Sequence, residues 1–441
     1  MKLDIKNFDS VFFEALILNI ADLKYCIIGD YENLPHSVSH DIDLWTDNVD
    51  LFLYRIKETI RTTGFRVLIF NRTANGANVV FYKKISDIIV VMKIDVMSDT
   101  SYKSFLPLVP SKIIEANIKS YKSFYVAKEE IEATMHFLHP LFEWGKIKKE
   151  KYKDEIRKNY KTTVFISSLE NLFGKKKSDN LCQLIATEKW EQIEKIMIAY
   201  KRLALFRFFL KPVASMRFFK LLSSIFSRVV KPSGYVLAFC GLDGAGKTTI
   251  LNNLNQIFVD VLKQKKVFFS YWRPYLLPEL KVLLRKKRKN EDDTPIVMAM
   301  NRKPRNRVIS IIKLLYYVFD YIFGSLKYIG IRSMGGVVLF DRHYIDTVVF
   351  PYRFEMSLPE SVFLFFYKLM PKPDFTFFLW ATPNEIYKRK IEFTKEEIQQ
   401  QINDYNLVGS KIKGFVPIET NKTITEEIEK IFFHISLRND L

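Results

Sequence analysis

The sequence predicts an α/β chain: a C-terminal parallel sheet flanked by helices, a helical middle region and an N-terminal mixed α/β domain. Three observations carry that expectation. A glycine-rich run, Gly241-Leu-Asp-Gly-Ala-Gly-Lys-Thr248, stands between a strand-like stretch (235–240) and a helical one (248–258). Beyond it, short apolar runs recur at 267–271, 336–340 and 375–380, each bounded by turn or charge signals, as buried parallel strands between helices are. Before residue 128, short runs rich in Val, Ile, Phe and Tyr alternate with helical periodicity.

Taken in order, residues 24–29, 65–71, 78–82 and 88–96 read as strands and 50–63 as a helix, which defines an N-terminal domain over 1–128. Residues 129–230 contain few glycines and no strand alternation, so a helical linker domain is expected there. Within it, 201–230 sets Phe and Leu among Arg and Lys at helical spacing, interrupted at Pro212. Such a stretch suits a helix packed between domains; a basic amphipathic helix on an anionic membrane surface is the alternative. Lys231-Pro-Ser-Gly234 marks a boundary, and 231–441 forms the C-terminal domain. The basic run 281–289 is expected on a solvated helix face.

Length and composition set the outer bounds. The 441 residues allow two or three domains of roughly 100–200 residues each. With 48% hydrophobic residues the chain is globular and not disordered. A net charge of +19 favours polyanionic partners: nucleotides, nucleic acid, acidic glycans or an anionic membrane. Three widely separated cysteines (Cys26, Cys182 and Cys240) give neither a disulfide framework nor a zinc site, and fit a reducing, cytoplasmic compartment. The acidic residues near the N-terminus argue against a signal peptide. The apolar stretch 309–324 carries Lys313 and Asp320 and is shorter than the roughly 20 residues a membrane span needs, so it is expected to be a buried or amphipathic helix.

The glycine-rich run matches G-x-x-x-x-G-K-[ST] in its required context between strand and helix. Glycines let the backbone curl around phosphate oxygens, and the loop N–H groups with the helix N-terminus supply partial positive charge. Gly241, Leu242, Asp243, Gly244, Ala245, Gly246, Lys247, Thr248 and Thr249 are therefore the expected ATP-binding segment. Lys247 is placed to reach the β- and γ-phosphates, and the Thr248 hydroxyl to ligate Mg²⁺.

Several elements in the same order resemble thymidylate kinases. The loop with its internal Asp243 and second threonine, Thr249, is similar to G-x-D-G-x-G-K-[ST]-T. Asp341-Arg342-His343 after the strand 336–340 is similar to that family's D-R-[YF/H] element, and Pro373-Asp374-Phe-Thr-Phe-Phe-Leu379 to its P-D-x-T-x-x-L strand. Residues 383–390 resemble the helix leading to its lid, and 416–432 its closing strand and helix. The resemblance implies a P-loop kinase using ATP and Mg²⁺, often as a homodimer. It implies that Asp243 positions the acceptor or the metal, that Asp341 acts on the metal through water, and that Arg342 holds the acceptor or the phosphoryl group. Lys388 and Arg389 would stabilise charge on the transferring phosphoryl group. Arg273, in Ser270-Tyr-Trp-Arg273-Pro274, stands where that family carries an R-E-P element and is an acceptor-binding candidate, with Arg342 and Arg353. The run 341–353 looks like a divergent branch linked to surface-polysaccharide pathways. The expected acceptor is accordingly a nucleoside monophosphate or a sugar or glycan.

In the N-terminal domain, residues 27–29 close a strand on a glycine and Asp41-Ile-Asp43 follows, with Asp95 on a later strand. Residues i and i+2 of a strand share a face, so Asp41 and Asp43 can converge, and three hard oxygen donors suit Mg²⁺. The pattern resembles a nucleotidyltransferase fold, with Asp41, Asp43 and Asp95 as its metal ligands. Three functions follow from the whole chain: an ATP-dependent phosphotransferase, a bifunctional enzyme with an added nucleotidyl transfer, or a nucleotide-gated binder of nucleic acid or membrane. A peripheral position at the inner membrane surface goes with the basic helix.

Overall fold

The computed structural model describes residues 9–36, 41–278 and 306–439. The basic run 281–289 lies outside them. The chain forms two compact units, divided near residue 228.

The first unit carries a seven-stranded mixed sheet. Its strands are β1 Tyr25–Ile28, β2 Ile42–Thr46, β3 Arg66–Arg72, β4 Gly76–Ile85 and β5 Ile88–Met97, followed, beyond the hairpin β6 Thr100–Tyr102 and β7 Leu106–Val109, by β8 Ile118–Tyr121 and β9 Phe124–Ala127. The order across the sheet is β3-β4-β5-β2-β1-β9-β8. β2 runs antiparallel to β1 and parallel to β5, in a register that sets Asp43 directly beside Asp95. The helices Ser10–Asn19 and Val49–Thr62 cover one face, burying Phe12, Leu16, Phe52 and Ile56 against Phe81, Val79 and Ile94 of the sheet. Asp9 caps the first helix by accepting from the Val11 N–H.

Residues 129–227 are helical. The helices Glu129–Trp144, Glu150–Asn159, Thr163–Phe173, Lys175–Ala186 and Trp190–Phe209 share one core with the β6–β7 hairpin, in which Phe105 and Leu106 pack with Phe137, Phe165 and Leu169. His136 stacks on Tyr152 and sits 2.5 Å from Glu155 Oε2, and the ring of His139 meets Trp144 edge-on.

The second unit is built on a five-stranded sheet in which every pairing is parallel: β10 Tyr235–Cys240, β11 Val267–Tyr271, β12 Val337–Asp341, β13 Phe375–Trp380 and β14 Phe415–Glu419, in the order β11-β12-β10-β13-β14. All six residues of β10 are buried, as a central strand covered on both faces must be. Two strands lie to one side of β10 and two to the other, so connections leave in opposite directions at the β10–β13 junction. Open parallel sheets bind ligands at such a junction, beyond the C-terminal strand ends.

Among the described residues, Arg307–Ser333 is the one helical stretch long and apolar enough to cross a membrane by length and composition. It breaks at Ser325 into Arg307–Gly324 and Leu326–Ser333, and Leu314, Tyr317, Val318 and Tyr321 are buried in the core of this unit.

Candidate functional site

The glycine loop sits at the junction just described. Gly241 adopts φ 139°, and a Cβ there would lie 2.2 Å from the Leu379 carbonyl oxygen of β13. Only glycine permits that approach. Gly246, at φ 80°, turns the chain left-handed into the helix Lys247–Leu262, whose first N–H groups therefore point back into the loop. Thr248 and Thr249 are exposed at that helix start.

Lys247 is buried. Its ammonium donates to the Gly241 and Leu242 carbonyls at 2.9 and 2.7 Å and stands 3.5 Å from Asp243 Oδ1. Burial and the neighbouring Arg342 charge lower its pKa to about 8, despite Asp243. A triphosphate beside the ammonium favours the charged form and raises that value. ATP binding near pH 8 is therefore expected to take up protons, an effect that fades by about pH 6, where the lysine is already charged. Calorimetry in buffers of different ionisation heat measures this uptake; none at pH 8 would contradict the placement.

Asp341 ends β12 beside the loop. Its Oδ1 is buried and has no hydrogen-bond partner among the described residues. Burial raises its pKa against the pull of Lys247 and Arg342. Arg342 follows in the left-handed region at φ 68°, and its backbone N–H donates to Phe239 of β10 at 2.8 Å. Its guanidinium reaches the Gly241 carbonyl (3.3 Å), Asp346 Oδ1 (2.9 Å) and the Asp243 carboxylate. Burial disfavours this cation, but Asp346, Tyr405 and Asp243 outweigh burial and hold it charged. The Asp243 carboxyl is pushed up by burial, yet Arg342 and Lys247 bring it below the ordinary range. His343 is buried and kept neutral, its pKa lowered by burial to about 3; its ring packs against Tyr321 and Phe340.

Asp346 and Tyr405 complete this cluster. Asp346 is fully buried, accepts the Tyr405 hydroxyl at 2.7 Å and the His343 N–H at 3.1 Å, and so fixes Arg342 from behind. Sequence reading leaves both unassigned. The signal for Asp346 is its spacing four residues after Arg342, in the first turn of the helix Tyr344–Val349; Tyr405 carries no local signal.

The arginine candidates separate. The Arg353 side chain makes no hydrogen bond or ion pair among the described residues, and its positive charge helps to lower the Asp243 pKa. Arg389 donates to the Gly244 carbonyl (3.3 Å) and the Thr420 carbonyl (2.9 Å), bracing the loop against the end of β14. Arg273 lies elsewhere in character: it is 1% exposed, pairs with the fully buried Asp320 at 2.9 Å and donates to the Leu277 and Pro278 carbonyls. Its guanidinium shapes the loop 272–278 and does not point into open space.

In the first unit, Asp41, Asp43 and Asp95 place one carboxylate oxygen each within 4.8 Å of one another. The β2–β5 register makes this so. Lys93 lies on the same face, two residues before Asp95, and its buried ammonium donates to Asp41 and Asp95, each at 2.7 Å. Burial alone would lower its pKa, but the two carboxylates raise it above the ordinary lysine value. Asn78 donates to the other Asp95 oxygen at 2.7 Å. Three hard oxygens fit Mg²⁺ in kind, with the ammonium already bridging two of them. Lys93→Met is expected to destabilise the chain by about 3 kcal/mol by leaving the carboxylates facing one another, and millimolar Mg²⁺ to restore part of the loss. Urea unfolding with and without Mg²⁺ checks both statements.

No family model matches the chain, and no curated protein matches it. Solved structures similar to it include a thymidylate kinase from Ehrlichia chaffeensis, at 17% identity and a TM-score of 0.31, over 45% of this chain and 99% of that one. Another is a thymidylate kinase from Candida albicans, at 16% identity and a TM-score of 0.32, over 47% of this chain and 92% of that one.

Proposed function

We propose that the second unit is an ATP-dependent phosphotransferase, moving the γ-phosphoryl group of ATP to a nucleoside monophosphate or to a sugar or glycan acceptor. One observation carries the reading. A glycine loop at the switch of a parallel sheet gathers Lys247, Arg342 and the orphaned Asp341 oxygen around one spot.

The parts divide the work. Loop N–H groups and the start of the helix Lys247–Leu262 bind the phosphates, with the Lys247 ammonium on the β- and γ-oxygens. Asp341 and Thr248 are the residues that would hold Mg²⁺, because a buried carboxylate oxygen without a hydrogen bond and an exposed hydroxyl at the helix start are fitting oxygen donors. Mg²⁺ when bound supplies neutralisation of phosphate charge. Asp243, held ionised by Arg342, lies at the loop edge, where it accepts a hydrogen bond from an acceptor hydroxyl or orients it. Arg353 supplies positive charge on the acceptor side. Arg342 is preorganised by Asp346 and Tyr405, so its charge is aimed without reorganisation during transfer.

The test is an ATP-consumption screen with Mg²⁺ over thymidylate, other nucleoside monophosphates, and free and phosphorylated sugars. Acceptor-dependent turnover with one class is expected, and a raised Mg²⁺ requirement in Asp341→Asn. Absence of turnover with every acceptor would count against the proposal.

A second reading adds nucleotidyl transfer in the first unit, favoured by the convergence of Asp41, Asp43 and Asp95 within 4.8 Å. Asp43→Asn would then remove nucleotidyl transfer and leave the ATP-dependent activity untouched.

A further inference from the structure

One helix of this chain has a face that neither its own core nor the chemistry above uses. Pro212–Val230 buries Ala214 alone among its residues. At 100° per residue, Met216, Phe219 and Phe226 fall within one arc of its surface. Met216 and Phe219 are each 68% exposed and Phe226 71%. Leu210, in the turn before the helix, is 71% exposed. Isolated exposed apolar residues are ordinary; a continuous stripe of large ones calls for a cover.

The charge around the stripe identifies that cover. From Lys195 to Leu242 the sequence has nine Lys or Arg (195, 201, 202, 207, 211, 217, 220, 228 and 231) and no Asp or Glu. Lys220 lies at the edge of the stripe, and the whole chain carries +19. A second copy would set two acid-free basic segments face to face, and like charges oppose that. An anionic bilayer surface complements both features at once, taking apolar side chains into the headgroup–acyl boundary and cations onto lipid phosphates.

We propose that the face of this helix bearing Met216, Phe219 and Phe226 is a docking surface for an anionic lipid bilayer, holding the protein peripherally. The helix lies in the interface plane, with Phe219 and Phe226 inserted and Lys220 at headgroup level. Pro212 starts this helix after the Lys211 turn, which lets it take a direction of its own. The site is independent of the phosphotransferase reading.

The experiment is flotation of the full-length protein with vesicles of phosphatidylcholine alone, or of phosphatidylcholine mixed with phosphatidylglycerol. Binding to the mixed vesicles at low salt, none to phosphatidylcholine alone, and release by ~0.5 M salt are expected. Phe219→Glu with Phe226→Glu should weaken binding by at least about ten-fold and Lys220→Ala by about five-fold. Both variants should keep wild-type circular dichroism and ATP binding. If the double variant fails to fold, the salt titration and Lys220→Ala still decide. No flotation with the mixed vesicles, or unchanged flotation of folded variants, overturns the proposal. A wild-type dimer that the double variant converts to monomer overturns it as well, assigning the face to a second copy.

Discussion

Lys247→Ala is expected to lower phosphoryl transfer by about 10²–10³-fold while the protein stays folded. The first half follows from electrostatics: one preorganised donor aimed at developing charge in a water-poor site is worth that factor when removed. The second half follows from the lysine's own environment. Its pKa of about 8 lies below the ordinary 10.5, chiefly through burial. A lysine lowered in the folded state binds fewer protons there than in the unfolded chain, so its contribution to stability is unfavourable at and below pH 8 and relaxes as pH rises towards 10.5. The gap corresponds to about 3 kcal/mol of penalty at neutral pH. Replacing the side chain removes that penalty, which offsets the loss of the ammonium's hydrogen bonds to the Gly241 and Leu242 carbonyls, and Asp243 keeps Arg342 as its partner. Rate assays paired with thermal melts check the two halves separately. A variant that is folded and fully active would sink the assignment of Lys247; one that is inactive because it is unfolded would sink the energetic account of the loop.

Asp320→Ala should cost stability on a comparable scale, about 3–5 kcal/mol, since it strands a buried guanidinium. Asp320 is fully buried on the helix Arg307–Gly324 and accepts from Arg273, from the Tyr275 N–H at 3.2 Å and from the Leu277 N–H at 2.7 Å. Removing it orphans three donors together. A change at Arg273 itself separates two roles for that residue. If Arg273 served an acidic acceptor, Arg273→Met would raise the acceptor KM steeply. Its burial and its carbonyl and carboxylate partners instead predict lower stability with an acceptor KM changed by less than about three-fold. Denaturant unfolding and steady-state kinetics on the same preparations give the answer.

These cases show where reading a sequence succeeds. The strand, loop and helix across 235–262 are legible because the signal is local: an apolar run, glycines at fixed offsets, then helical periodicity. The approach of Asp95 to Asp41 and Asp43 is legible in part, since alternation puts Asp41 and Asp43 on one face, while the parallel register that adds Asp95 is a tertiary fact. The bridging role of Lys93 has a signal in the sequence, because a residue two before Asp95 must share its face. Arg273 takes its meaning in sequence from its neighbours, but its environment is set by Asp320, 47 residues onward. A lone carboxylate in a mostly apolar helix calls for a buried partner, and that is the available clue. Tyr405 behind Asp346 could not have been found, because 59 residues separate them and nothing in either segment refers to the other. The short strands β6 to β9 are not legible for a related reason: at three or four residues each they are held by their pairing and not by their own pattern.

The anion-binding loop between Gly241 and Thr249 is the centre of the proposed chemistry. Titration calorimetry of the full-length protein with ATP in magnesium buffer tests it most directly. One saturable site per chain, weakened strongly in Lys247→Ala, is the predicted result; no heat of binding to folded wild-type protein at any ATP concentration up to the millimolar range would contradict it.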